Sequence, residues 1–319
     1  MVAHRVAIVG LGMMGGAIAI AARRTGAAAR IIGVAHNQKT VVEARQKGVV
    51  DDCTLDLRAG VYDADLVVLC VPVRTIPEAA ATIVPACREG AVITDIASVK
   101  GIIVRDMEAL ISRLKARVGF VGSHPITGSE RKGFEAAGLV RLDGAPCVLT
   151  PTPHTDNEAY HKVDEFWKAL GMKTLRLAPE EHDAVLARSS HMPHFLAAAL
   201  VTLQSDRSMD VCGPGLRDMT RLAGSDPAMW TDIAALNAEE LGKALKDIGQ
   251  QALQLASEME MLAARGTPGA ESARERVFRF LADARQRHEE RFNTRPAEKP
   301  PAPDTAQPTL PPEEQYPLR

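Results

Sequence analysis

"VAIVGLGMMGGAIAIAAR", residues 6–23, decides the fold. It opens as a short β-branched apolar run, breaks at Gly10, Gly12 and Gly15, and continues in alanine and isoleucine as a helix would. A strand, a tight turn and a helix in that order give each glycine a separate task. Gly10 permits the turn, Gly12 lets a pyrophosphate approach the backbone, and Gly15 lets helix and strand pack closely. The first N–H groups of the helix and its positive dipole end face the same point. The G-x-G-x-x-G spacing in this setting predicts a dinucleotide site formed by Gly10, Leu11, Gly12, Met13, Met14 and Gly15. A glycine turn that serves packing alone is the competing explanation.

Working outward, "RVAIVG" (5–10), "ARIIGVA" (29–35), "DLVVLCVPV" (65–73) and "AVITDIA" (91–97) are almost continuously apolar, as strands buried on both faces of a parallel sheet must be. "RVGFVG" (117–122), "APCVLTP" (145–151) and "KTLRLA" (173–178) are further strand candidates. Helical stretches lie between them, at 14–25, 39–48, 76–87 and 99–116. Alternation at this rhythm predicts an α/β, Rossmann-type doubly wound sheet. The second strand ends in Ala35, His36 and Asn37, with Lys39 close behind. An acid at this point would hold a ribose 2′-hydroxyl and repel a 2′-phosphate. A small residue followed by His, Asn and Lys favours NADP over NAD, unless Asn37 bonds the ribose hydroxyls and either cofactor serves. Val71 and Pro72, ending another strand, fall beside the cofactor. Ser98 is placed to cap the next helix, to face the nicotinamide pocket, or both.

The chain has 319 residues, 46% of them hydrophobic, enough for a substantial core and for two domains. A net charge of −2 argues against a nucleic-acid partner. Five cysteines without CxxC spacing suit a reducing cytoplasm. No run reaches the roughly 20 apolar residues that span a bilayer, and a strand-like run stands where a signal peptide would. Near Pro179 strand signals end and Ala, Leu, Glu, Arg and Met take over. The expected organisation is a dinucleotide-binding domain over 1–178, an all-helical substrate and dimerisation domain over 179–290, and a disordered proline-rich tail over 291–319.

"GSHPITGSE" (122–130) follows an apolar run and fixes His124 ahead of Pro125. A neutral imidazole at a strand end can take a hydroxyl proton as hydride leaves the same carbon. "GLGMMGG", "DLVVLCVPV", "TDIASVKG", "GSHPITGSE", "EEHD", "SSHMPH" and "GLRDMTRLAGSDPAMW" occur in the order and spacing of the prephenate/arogenate (cyclohexadienyl) dehydrogenases of tyrosine biosynthesis, which this sequence resembles over about residues 5–250. The resemblance implies a Rossmann domain, a helical dimerisation domain, and NAD(P)-dependent oxidative decarboxylation of prephenate or arogenate in a homodimer.

The resemblance also implies roles for individual residues. His124 is the catalytic histidine, oriented by Ser98. Ser129 and Glu130 form the polar end of the histidine loop, which reaches the substrate pocket, and Ser190 and His194 approach the substrate's side chain. Arg221 binds a substrate carboxylate, with Arg217 one turn earlier as the rival, and Trp230 completes the partner subunit's site. His191 and His194, three apart, lack a third metal ligand in the segment, so no metal is expected and His191 is given a capping or core role. Pro214 interrupts a stretch where relatives run glycines. Two other readings remain open: a β-hydroxyacid dehydrogenase on the same plan, and a dinucleotide-sensing protein without turnover.

Overall fold

The computed structural model describes residues 1–127, 131 and 133–293. The chain divides into two compact units, 1–246 and 247–319. In the first, β1 (Ala3–Val9), β2 (Ala28–Val34), β3 (Asp52–Thr54), β4 (Leu66–Leu69), β5 (Val92–Asp95), β6 (Gly119–Pro125), β7 (Pro146–Thr150) and β8 (Lys173–Arg176) form one sheet in the order β3-β2-β1-β4-β5-β6-β7-β8. β6 and β7 pair antiparallel, and the other neighbours pair parallel. Around the sheet lie α1 (Met13–Thr25), α2 (Gln38–Gln46), α3 (Leu57–Val61), α4 (Ile76–Ile83), α5 (Gly101–Leu114) and α6 (Asn157–Ala169).

The continuous apolar runs are explained by burial on both faces. Val6 and Ile8 of β1 join one core cluster with Ile31, Leu66 and Val68, while Ala7 and Val9 join another with Val34, Val67 and Leu69. Alternate side chains thus feed two separate cores, and no position from Val6 to Val9 is left for a polar residue. After β1 the chain proceeds outward through β2 and β3, then returns to place β4 on the other side of β1. The crevice where the order reverses is where open α/β sheets bind ligands, and the glycine turn sits at its mouth.

Two strand expectations need correction. The apolar run 65–73 gives a strand only over β4, because Pro72 supplies no N–H and the chain turns into a short 3₁₀ segment, Val73–Thr75. β3, three residues at the sheet's edge, was not anticipated.

From Pro179 the first unit is helical: α7 (Pro179–Leu186), a π-turn (Ala187–His191), α8 (Met192–Thr202), α9 (Asp206–Asp210), α10 (Pro214–Thr220) and α11 (Pro227–Leu236). Pro214 does not disrupt its segment; it starts α10 behind Gly213, where a missing N–H leaves no bond unmade. α12 (Ala238–Ala263) carries the chain into the second unit, where α13 (Pro268–His288) follows, capped by Thr267. Arg276 grips Glu258 through two bonds of 2.8 Å each. Helical structure continues through the π-turn Glu289–Asn293, past residue 291 where a tail was expected to begin; the rest of that tail lies outside the described residues. Leu253, Phe278 and Leu281 of this unit are exposed. No described helix is long and apolar enough to cross a membrane.

Candidate active site

Packing accounts for two of the three glycines and leaves the third to another cause. A Cβ on Gly10, whose φ is +99°, would lie 2.5 Å from the Cys70 carbonyl oxygen, and one on Gly15 would lie 2.1 Å from the Gly10 oxygen. A Cβ on Gly12 would meet no protein atom within 4 Å. Gly12 is also the N-cap of α1 and, having no side chain, makes no side-chain cap. A helix N-terminus that begins at a glycine whose backbone is kept bare for no internal reason fits a pyrophosphate. Val71, half-buried, lies against Gly10, and Pro72 next to it is exposed.

At the end of β2, Ala35 is buried and His36 is exposed. The Asn37 side chain is already engaged. Its Oδ1 accepts from the Thr40 N–H at 2.9 Å, capping α2, and its Nδ2 donates to His36 Nε2 at 2.8 Å. That weakens the case for Asn37 as the ribose ligand and leaves His36 and the exposed Lys39 as the polar groups at this edge.

Because β1, β4, β5 and β6 are parallel, the glycine turn, Val71, Ser98 and His124 share one edge of the sheet. His124 is half-buried near the end of β6. Its Nδ1 lies 2.9 Å from His182 Nε2, and His182 Nδ1 lies 2.8 Å from Asp183 Oδ1. The expected orienting group was Ser98, but the hydrogen bond on His124 Nδ1 comes from α7. Nor does Ser98 cap α5. The N-cap position is Lys100, and Asp183 reaches across from α7 to accept from the Lys100 N–H at 2.7 Å and the Gly101 N–H at 2.8 Å.

Beneath His124 lies a polar floor with no exposure to solvent. Lys100 Nζ pairs with Asp95 and donates to the Ser123 carbonyl at 3.0 Å. Ser123 Oγ bonds the Asp95 carbonyl at 2.5 Å and receives the Trp167 N–H at 3.0 Å. Burial holds His124 well below the ordinary histidine value, and the charges of His182, Lys100 and His191 push the same way. His182 is lowered chiefly by burial, against the pull of Asp183. His124 is therefore a neutral imidazole at physiological pH.

α8 supplies the second wall. Pro193 cannot donate back to the preceding turn, and the chain relieves this by widening into the π-turn Ala187–His191, which re-aims Ser190 and His191. His191 is fully buried, its Nδ1 3.1 Å from Asn237 Nδ2, and burial pushes it down to about 4. His194 Nδ1 donates to the Ser190 carbonyl at 2.9 Å. Its ring stacks on Trp230, centroids 3.5 Å apart, at the edge of a cleft of about 220 Å³. Arg221 and Arg217 are both exposed, but only Arg221 is close enough for its charge to help lower His194, after burial. Ser129 and Glu130 lie outside the described residues. The residues that sequence reasoning missed are His182, Asp183, Asp95 and Lys100. All four stand inside the quoted motifs "EEHD" and "TDIASVKG", yet spacing alone gave them no partner.

A glycine turn at the sheet's switch point and a neutral histidine on the same edge define a Rossmann-fold, nicotinamide-dependent oxidoreductase. The model of the prephenate dehydrogenase nucleotide-binding domain matches residues 18–176, and that of the prephenate dehydrogenase dimerization domain matches residues 178–278. The cyclohexadienyl dehydrogenase of Zymomonas mobilis is 34% identical over 74% of this chain and 82% of its own length. The prephenate dehydrogenase of Bacillus subtilis is also 34% identical, and this chain spans 64% of its length. Among solved structures, Aquifex aeolicus prephenate dehydrogenase in complex with hydroxyphenyl propionate and NAD+ superposes with a TM-score of 0.78 at 32% identity, covering 90% of this chain and 98% of that one. Synechocystis arogenate dehydrogenase follows with a TM-score of 0.73 at 30% identity, covering 89% and 99%. The chain belongs to the prephenate dehydrogenase family.

Proposed function

We propose that the protein oxidises and decarboxylates prephenate, or its amino counterpart arogenate, to a 4-hydroxyphenyl product. The observation that carries the reading is His124, neutral, tethered through Nδ1, and on the same sheet edge as the glycine turn. The nicotinamide ring, when bound, accepts the hydride that leaves ring carbon C4. His124 takes the C4 hydroxyl proton as that hydride departs. Electron demand at C4 then breaks the bond from C1 to its carboxylate, CO2 leaves, and His124 returns the proton to the phenolate oxygen of the aromatised ring. Because aromatisation drives the reaction downhill, the protein's work is to orient and polarise. Arg221 is the carboxylate ligand in this scheme, a guanidinium offering a two-pronged match. Ser190 and His194 approach the substrate's side chain, Trp230 completes the partner subunit's site, Ser98 faces the nicotinamide pocket, and Ser129 and Glu130 serve substrate binding.

The cofactor edge, with Ala35 in place of an acid and His36 and Lys39 nearby, supports NADP as the preferred partner. The exposed Leu253, Phe278 and Leu281, within or just past the matched dimerization segment, support a homodimer through the helical region, which we take to begin at Pro179. Five free cysteines suit the cytoplasm.

Following absorbance at 340 nm with prephenate or arogenate against NAD+ or NADP+ tests substrate and cofactor together. Turnover of a β-hydroxyacid with none of these four pairs would shift the assignment to that enzyme class. Cofactor binding without turnover would leave a sensor. His124→Asn should keep substrate binding while kcat falls about 10²–10⁴-fold, the usual weight of a general base. Arg221→Ala should raise KM far more than it lowers kcat; an unchanged KM there, with a large rise for Arg217→Ala, would transfer the carboxylate to Arg217.

A further inference from the structure

We propose that His182, held by Asp183, is a positioning residue that fixes His124 in its Nδ1–H tautomer and thereby makes Nε2 the atom that takes the substrate's proton. The inference rests on the reading of His124 as the proton acceptor and extends it to which nitrogen acts and why.

The direction of every bond in the chain follows from its far end. Both oxygens of Asp183 already accept from backbone: Oδ1 from the Lys100 N–H at 2.7 Å and Oδ2 from the Gly101 N–H at 2.8 Å. These are among the first donors of α5, a helix of 14 residues, so negative charge is stabilised there by two amides and by the helix's positive end. A carboxylate in that position offers only lone pairs, and the contact at 2.8 Å is met by a proton on His182 Nδ1. Neutral His182 then has a bare Nε2. At 2.9 Å, that lone pair requires the proton of His124 to sit on Nδ1. His124 Nε2 is left unprotonated and makes no hydrogen bond among the described residues.

The reverse arrangement fails at its first step. Moving the His182 proton to Nε2 would set its bare Nδ1 against a carboxylate oxygen, two lone pairs face to face. Protonating both nitrogens would place a cation in a fully buried ring, against the burial and the Lys100 charge that lower His182. The anchor is also held from behind. Asn237 Nδ2 donates to the Asp183 backbone carbonyl at 2.9 Å, fixing the turn of α7 that carries both members of the pair. When Nε2 takes a proton, the imidazolium that forms donates through Nδ1 into an acceptor already polarised by Asp183. None of this needs His182 to touch substrate or cofactor.

The tautomer can be read without turnover. In the ¹⁵N-labelled full-length protein at neutral pH, long-range ¹H–¹⁵N correlations should show a protonated, pyrrole-type Nδ1 and a bare, pyridine-type Nε2 on His124, assigned by the signals lost in His124→Asn. A pyrrole-type Nε2 overturns the inference. His182→Phe, which removes the acceptor, should lower kcat about 10²-fold with KM for both substrates held within about threefold, the signature of an effect confined to the transition state. His182→Gln, whose side-chain oxygen can still accept from His124 Nδ1, should recover most of that loss, which a purely structural role would not produce. Turnover retained in His124→Asn would sink the functional reading together with this one. An inactive His124→Asn beside a fully active His182→Phe would sink this one alone. Should His182→Phe not fold, the wild-type spectrum decides by itself.

Discussion

The chain's two tryptophans mark two kinds of construction within the first unit. Trp167, on α6, is fully buried under the sheet, and its N–H reaches Ser123 Oγ at 3.0 Å. Around it Thr94, Asp95, Lys100 and Ser123 satisfy one another in a closed set of bonds. Trp230, on α11, stacks its ring on His194, and its indole nitrogen is buried with no hydrogen-bond partner among the described residues. His191, 6.0 Å away between ring centroids, is held instead by Asn237 and by the Ser98 backbone. Buried polar groups in folded proteins are nearly always paired. The floor beneath His124 thus satisfies nearly all its polar atoms, Thr150 Oγ1 near Gly122 excepted, whereas the Trp230 indole nitrogen stands unpaired on a wall that lines a cleft. Local rules tend to be broken where function is carried.

The strongest way to break this contrast is to attack the floor. Lys100→Met leaves the Asp95 carboxylate buried without its cation, and unfolding by urea should show a loss of about 3–5 kcal/mol. Adding Asp95→Asn should recover part of it, because the unpaired charge, rather than the missing attraction, is the larger penalty. A loss below about 1 kcal/mol for Lys100→Met would mean the floor is wetter than its burial says.

A second test titrates the wall. His191 is held at about 4 in the folded chain, below the 6.5 of an exposed histidine. Between those values the unfolded chain binds a proton that the folded chain refuses, so stability falls as pH drops from about 6.5 toward 4 and levels off below. The contribution of His191 approaches about 3 kcal/mol. His124, His182 and His194 are displaced in the same direction and should add to it. Proton uptake on unfolding at pH 5.5, measured calorimetrically in buffers of different ionisation enthalpy, should exceed one and drop by about one in His191→Asn. Uptake near zero would place these rings in water.

The sequence was most informative where chemistry is local. The glycine turn, the four two-faced strands β1, β2, β4 and β5, and the change to helices at Pro179 were all legible, because each rests on residues within a dozen positions of one another. β3 was not, since Asp52, Cys53 and Thr54 form a strand only by lying beside β2 at the sheet's edge. The antiparallel turn at β7 was equally hidden, an apolar run having no direction. At the site, His124 could be found from its own loop, but His182 lies 58 residues away in sequence and only the fold brings the rings together. Ser98 looked like the cap of α5 because serine next to a helix usually is. The true donor's partner, Asp183, sits 82 residues beyond Gly101. What stayed hidden was pairing, in each case.

The smallest effect bears most directly on the contrast between the two tryptophans. Trp167→Phe keeps most of the ring's volume and removes the N–H, leaving Ser123 Oγ short of a donor inside a closed network; a loss of about 1–3 kcal/mol is expected. Trp230→Phe also keeps a ring to stack on His194, but the N–H it deletes has no partner to abandon, so stability should stay within about 0.5 kcal/mol. Its consequence should appear in substrate KM instead. Equal losses for the two would dissolve the distinction between floor and wall. A Trp230→Phe protein with unaltered stability and unaltered KM would be as damaging, because it would leave the buried indole nitrogen serving neither the fold nor the site.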